Sequence, residues 1–126
     1  FTALLARAGK HVTSVEIREP FSTAAQAKLA AHGIGNVTLE CGDAAQGWGT
    51  GTYEVIAITG AVPAVASSFI AALAPGGRLV ALLGEGPVQE AVVIKRAMHS
   101  EAYTRESLFE TYVPLLTNAH QIQFVF

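Results

Sequence analysis

Two carboxylates stand where an open α/β sheet makes its ligand contacts. Glu16 lies at the end of the β-branched run His11-Val12-Thr13-Ser14-Val15-Glu16-Ile17. Asp43, the only aspartate in the chain, follows the run Val37-Thr38-Leu39-Glu40-Cys41. In such sheets ligands sit beyond the carboxyl ends of the strands, at a switch point in strand order. A carboxylate there can accept both hydroxyls of a vicinal diol such as that of a ribose, because its two oxygens match the two donors. The same residue can equally be a solvated cap at a surface strand end. Asp43, within Gly42-Asp43-Ala44, can accept from an exocyclic amine such as that of adenine, or close an Asx turn on its own backbone. Jointly, two acids after adjacent strands would form one wall of a nucleoside pocket. Thr59 and Gly60, and then Gly84 and Glu85, come after the next two strand-like runs and complete the residues at that end of the sheet.

Other patterns carry less chemistry. Gly47-Trp48-Gly49-Thr50-Gly51 has glycine spacing but precedes a strand. A phosphate loop joins a strand to a helix, so that backbone amides face the anion. Gly84-Glu85-Gly86 fails on the same ground. His11, His32, His99 and His120 lack metal-ligand spacing, so no metal site is expected. No Gly-x-Ser-x-Gly elbow occurs, and Ser67-Ser68 fall in a helical pattern, which excludes the common serine-hydrolase arrangement. Cys41 reads as inert core on an apolar strand, and Trp48 as the anchor of its loop. One cysteine excludes an internal disulfide framework.

These residues must be held by elements that the pattern supplies. The spacing predicts a short helix over Thr2 to Ala8 stopped by Gly9, a strand over His11–Ile17, and a helix over Phe21 to His32. Pro20 stands in the first turn of that helix and Gly33 ends it. Further strands are expected at Val37–Cys41, at Tyr53–Ile58 (apolar enough for burial on both faces) and at Arg78 to Leu83. A helix over Ala64 to Leu73 and a tight turn at Pro75-Gly76-Gly77 separate the last two. Alternating helices and strands with short loops predict a parallel sheet. Extended segments at Ala91 to Ala97, Ser107 to Val113 and Gln121 to Phe126 have no intervening helix, which predicts antiparallel additions at one sheet edge. The chain has 126 residues, 51% hydrophobic and 14% charged, with net charge −2. That is one domain at most, not a disordered tail and not a basic nucleic-acid module. No apolar run approaches the about 20 residues of a membrane helix, and no signal peptide opens the chain. A cytoplasmic location is expected. The opening Phe1-Thr2-Ala3-Leu4-Leu5 reads as a helix entered midway, and predicts a fragment of something longer.

Taken in order, these stretches resemble the protein-L-isoaspartate O-methyltransferases of the class I S-adenosylmethionine-dependent fold. Phe1-Thr2-Ala3-Leu4-Leu5-Ala6 is similar to the helix after that family's glycine-rich loop, and His11 to Glu16 to its second strand with the ribose-binding acid. Gly42-Asp43-Ala44-Ala45-Gln46-Gly47-Trp48 resembles its Gly-Asp-Gly…Gly-Trp stretch. Tyr53 to Pro63 resembles the strand and Thr-Ala-Ala…Pro turn. Leu73-Ala74-Pro75-Gly76-Gly77-Arg78-Leu79-Val80 is shared by many class I methyltransferases. Gly84 to Gln89 and Tyr112-Val113-Pro114-Leu115 match later landmarks. Ala44 replaces the usual glycine, and Gly60 the usual alanine.

The resemblance implies a Rossmann-like α/β fold, a mostly parallel sheet with antiparallel C-terminal strands. Residues 1–126 would form a single, partial methyltransferase domain, with the family's glycine-rich loop and first strand ahead of Phe1. The order 3-2-1-4-5 then keeps His11–Ile17 and Tyr53–Ile58 from being hydrogen-bonded neighbours. The implied activity is methyl transfer from S-adenosylmethionine to the carboxylate of isoaspartyl residues in damaged proteins or peptides, a protein-repair step. A carboxylate is already nucleophilic, so catalysis is mostly positioning, and no catalytic acid–base residue is singled out. Glu16, Ile17, Asp43, Ala44 and Thr59 are the expected cofactor-binding residues, and Thr59, Gly60 and Ala61 the substrate-binding ones. No nucleic-acid or membrane partner is expected. Two alternatives remain: an inactive relative or fragment acting as a binding or structural unit, and another class I methyltransferase with a small-molecule substrate.

Overall fold

The computed structural model of the chain describes residues 1–120, so the extended segment expected at Gln121 to Phe126 lies outside the described residues. The chain divides into two compact units, Phe1–Ala44 and Ala45–Phe126.

The first unit contains α1 (Thr2–Ala8), β1 (Val12–Glu16), α2 (Glu19–Ala31) and β2 (Val37–Cys41). β-Branched residues open both strands, Val12-Thr13 and Val37-Thr38, which pair in parallel with Val12 opposite Val37 and Glu16 opposite Cys41. Pro20 sits in the first turn of α2, where its fixed φ suits the helix and its lacking N–H costs nothing. The helix ends as the sequence predicts. Gly33 adopts φ +67°, the Gly33 N–H reaches Ala30 O (3.0 Å) and the Ile34 N–H reaches Leu29 O (3.0 Å). This Schellman pattern satisfies carbonyls that the helix leaves open. The half-buried stripe of α2 is Ser22, Ala25 and Leu29. Phe21 stands outside it, 59% exposed, with the Arg18 guanidinium 5.9 Å from its ring centroid. Asn36 fastens α1 to the strand entry: its Nδ2 donates to Ala6 O (2.7 Å), Gly9 O (3.2 Å) and Lys10 O (3.2 Å).

The second unit contains β3 (Tyr53–Val62), α3 (Ser67–Ala71), β4 (Leu73–Leu83), β5 (Gln89–Arg96) and β6 (Tyr103–Thr111). They form one sheet in the order β3-β4-β5-β6. β3–β4 is parallel and the two later pairs are antiparallel, as expected for the C-terminal additions. The described pairings are thus divided evenly between parallel and antiparallel. β1 and β3 belong to separate sheets and are not hydrogen-bonded neighbours. The core gathers Ile58, Val62, Leu73, Leu79, Ala81 and Val92, with Phe69 and Leu116 packed against it. No helix among the described residues is long and apolar enough to cross a membrane.

Three expectations change. The helix expected over Ala64 to Leu73 contracts to Ser67–Ala71, because β3 claims its end: the Tyr53 N–H donates to Ala72 O (2.8 Å) and Leu73 pairs with Tyr53. The third strand runs on through Thr59-Gly60-Ala61-Val62, and its first half is not buried on both faces, since Glu54 and Val55 are exposed. Pro75-Gly76-Gly77 is not a turn between elements but an irregularity inside β4, where the register steps from Tyr53 opposite Leu73 to Val55 opposite Arg78. Gly76 takes φ +75° there.

A Cβ on Gly77 would stand 2.7 Å from Ala74 O, 3.1 Å from Glu54 O and 3.2 Å from Tyr53 O, all main-chain atoms held by the β3–β4 pairing. Gly77→Ala is therefore expected to destabilise the protein by about 1–3 kcal/mol, read as a lower urea midpoint. Gly86→Ala, whose Cβ meets nothing within 4 Å, should stay within about 0.5 kcal/mol of the parent. Equal midpoints for the two variants would contradict the packing described.

Candidate functional site

The parallel register brings Glu16 and Asp43 to the same end of the first unit's sheet. Glu16 faces Cys41 across the pair, the Gly42 N–H donates to Glu16 O (3.0 Å), and Asp43 comes directly after, exposed to solvent. The Glu16 side chain is half-buried, and its Oε1 accepts the Arg18 backbone N–H at 3.0 Å. That contact draws the carboxylate over the turn leading into α2 and limits its rotamers. It uses one of the roughly four acceptor sites of a carboxylate. Oε2 accepts nothing among the described residues. The cap reading and the ligand reading are therefore compatible: one oxygen holds the turn while the other stays open. Ile17, 38% exposed, supplies apolar surface beside it, and half-buried Ala44 ends the unit. A carboxylate with a spare acceptor, an exposed aliphatic side chain and a second acid fit the hydroxyl, ring and amine chemistry of an adenosine. These residues could hold the S-adenosylmethionine that the sequence resemblance implies.

The second unit carries Thr59, Gly60 and Ala61 near the end of β3. Thr59 is exposed and Gly60 half-buried. Ala61 is fully buried, and both of its main-chain groups are engaged: its N–H donates to Pro114 O (3.0 Å) and its C=O accepts the Leu116 N–H (2.8 Å). Gly60 permits this approach, since a Cβ there would lie 3.0 Å from Leu116 Cδ1 and 3.3 Å from Leu116 Cα. Of the three, Thr59 offers a side chain to solvent, while Ala61 acts through the segment it holds. The Gln46–Gly47 part of the glycine-rich loop is pinned to α3, where Ser68 Oγ donates to Gln46 O. Gly47, at φ +122°, leaves room for that serine.

The structure also relocates some features. Cys41 is not core but exposed, at the end of β2, with its Sγ 3.8 Å from Ile17 O. A cavity of about 360 Å³ lies between α2 and β2, lined by Leu29, Ile34, Val37 and Leu39 among others. Neither Glu16 nor Asp43 lines it, so the candidate site is the strand end and not this groove. Among the described residues no three His, Cys, Asp or Glu side chains gather as a metal site. Sequence reasoning missed Gln89, a buried amide at the start of β5 that grips Val113. Its signal is a polar residue heading the apolar run Ala91-Val92-Val93-Ile94.

Comparison with known proteins gives a consistent answer. The family described as protein-L-isoaspartate(D-aspartate) O-methyltransferase matches residues 1–120. The protein-L-isoaspartate O-methyltransferase of Ectopseudomonas mendocina is 38% identical over 117 residues, covering 91% of this chain and 54% of the relative. That of Anaeromyxobacter dehalogenans is 38% identical over 117 residues, with 90% and 56% covered. A solved protein-L-isoaspartate O-methyltransferase superposes with a TM-score of 0.75 at 25% identity, over 86% of this chain and 35% of that one. A Plasmodium falciparum structure, described as a beta-aspartate methyltransferase in complex with S-adenosyl-L-homocysteine, gives 0.72 at 14% identity, over 85% and 52%. The fold is thus the Rossmann-like α/β fold of these methyltransferases. The chain spans about half the length of the curated relatives it matches. Their agreement along nearly the whole of it means that the chain belongs to the protein-L-isoaspartate O-methyltransferase family.

Proposed function

We propose that the protein carrying this chain transfers a methyl group from S-adenosylmethionine to the carboxylate of isoaspartyl residues in damaged proteins or peptides. The observation that supports it most is the family match over residues 1–120, together with a half-buried Glu16 that keeps Oε2 open at the end of β1. The two units serve, in this reading, as parts of a single methyltransferase domain working in the cytoplasm. S-Adenosylmethionine, when bound, supplies an electrophilic methyl group.

Glu16 orients the ribose by accepting its hydroxyls, and the Arg18 N–H keeps the carboxylate from swinging away. Ile17 packs on the adenine ring, and Asp43 accepts from its amine. Ala44 presents a methyl group to the nucleoside where the family has a glycine. Thr59 offers an exposed hydroxyl as a ligand contact, and the main chain at Gly60 and Ala61 shapes the acceptor side through Pro114–Leu116. The acceptor carboxylate needs no base to become nucleophilic. These residues therefore accelerate the reaction by alignment, a contribution that reaches about 7–11 kcal/mol in well-oriented systems.

In the full-length protein, Glu16→Ala is expected to weaken S-adenosylhomocysteine binding by about 1.5–3 kcal/mol, the range for a hydrogen bond to a charged group. Isothermal titration calorimetry checks this, and unchanged affinity would remove Glu16 from the site. Methylation of an isoaspartyl peptide, compared with its aspartyl counterpart, tests the acceptor. Binding without transfer to either would favour a non-catalytic relative. With alignment alone carrying the chemistry, activity should also be indifferent to EDTA, and its loss on chelation would contradict this mechanism.

A further inference from the structure

Gln89 opens β5 with only 2% of its surface exposed. A buried carboxamide is costly unless both its ends find partners. Here both go to one residue: Oε1 accepts the Val113 N–H at 2.7 Å, and Nε2 donates to Val113 O at 2.9 Å. The side chain imitates a neighbouring strand. It takes over the pairing where β6 stops at Thr111, the residue opposite Gln89 in the ladder.

The segment after Val113 gives the clamp its reach. Pro114 has no N–H and a fixed φ, so the orientation of the preceding peptide passes on stiffly. Its carbonyl accepts the Ala61 N–H (3.0 Å), and the Leu116 N–H returns to Ala61 O (2.8 Å). Leu116 in turn lies against Gly60. One side chain therefore holds the segment that runs parallel to β3 beside Gly60 and Ala61. An aliphatic side chain would fill the same volume but leave the Val113 N–H and C=O without this partner. A two-ended amide adds direction, because it accepts only one placement of Val113.

We propose that Gln89 is a positioning residue for the methyl acceptor: by gripping Val113 it keeps Pro114–Leu116 in register with Ala61, and so sets the wall against which an isoaspartyl peptide lies. This rests on the acceptor role assigned above to Thr59, Gly60 and Ala61.

The test uses the full-length protein and measures peptide KM, kcat, S-adenosylhomocysteine Kd and Tm for two variants. Gln89→Met keeps the volume and removes both hydrogen bonds. Gln89→Asn keeps the neutral amide but draws it back from Val113 by one methylene, and carries the test where Gln89→Met fails to fold. Peptide KM should rise roughly tenfold in Gln89→Met, the equivalent of one or two net hydrogen bonds, and also rise in Gln89→Asn. The Kd for S-adenosylhomocysteine should stay as in the parent. A lowered Tm with KM and kcat unchanged would make Gln89 merely structural and overturn the inference. A Kd that weakens in step with KM would overturn it too. A parent protein that binds S-adenosylhomocysteine but does not methylate the isoaspartyl peptide would overturn the function itself, and the acceptor role with it. An active parent with an unchanged variant KM overturns the role of Gln89 alone.

Discussion

A strand buried in a sheet must pair its main-chain N–H and C=O groups, and in both units that requirement places the candidate residues. In the first, the ladder continues past β1 through the Gly42 N–H to Glu16 O contact, which brings Asp43 round to the same end as Glu16. In the second, the Gly84 N–H bonds Val62 O on one side of β3. Ala61, one residue earlier, sends both its groups the other way to Pro114 and Leu116. Unmet, such groups would each cost on the order of 1–3 kcal/mol, a large share of a stability of about 5–15 kcal/mol. The pairing is accordingly what decides where the functional side chains stand.

Side chains complete this pairing where strands and helices stop. Asn36 collects three carbonyls at the end of α1. Gln89 takes both groups of Val113. Arg96, largely buried, donates to Leu73 O (2.6 Å) at the irregular start of β4 while pairing with Glu101. Each joins separate segments of the chain, and each acts through geometry more than through energy, since a net hydrogen bond contributes only about 0.5–1.5 kcal/mol.

The polar character of the strand ends has a consistent logic. The Glu16 carboxylate is steadied by a local amide through Oε1. Cross-strand acids elsewhere are spent differently: Glu90 pairs with Arg105 at 3.0 Å. Its hydrogen bond from Ser107, aided by the Arg105 charge, holds its carboxyl below the ordinary range. Glu90 is held by two side chains of β6, whereas Glu16 is held by one local amide.

Much of this was legible in the chain. Local signals placed α1 at Thr2–Ala8 and β2 at Val37–Cys41, because glycine stops and β-branched runs act within a few residues. The order of motifs named the family. Glu16 and Asp43 were found because the end of a strand can be read from its residues. Other features required partners distant in sequence. Ala64 to Leu73 has helical spacing, yet Leu73 and Ala72 are taken by Tyr53 once β3 and β4 pair. Cys41 shares the apolar pattern of its strand, but the folded chain leaves that end exposed. The grip of Gln89 on Val113 spans 24 residues, and no local pattern encodes a contact made by the folding of β5 against β6. Sequence alone determined the elements, the family and the two acids. The tertiary structure decided where the elements end, what is covered and which side chains fasten the segment beside β3, because those depend on which main-chain groups are left to be paired.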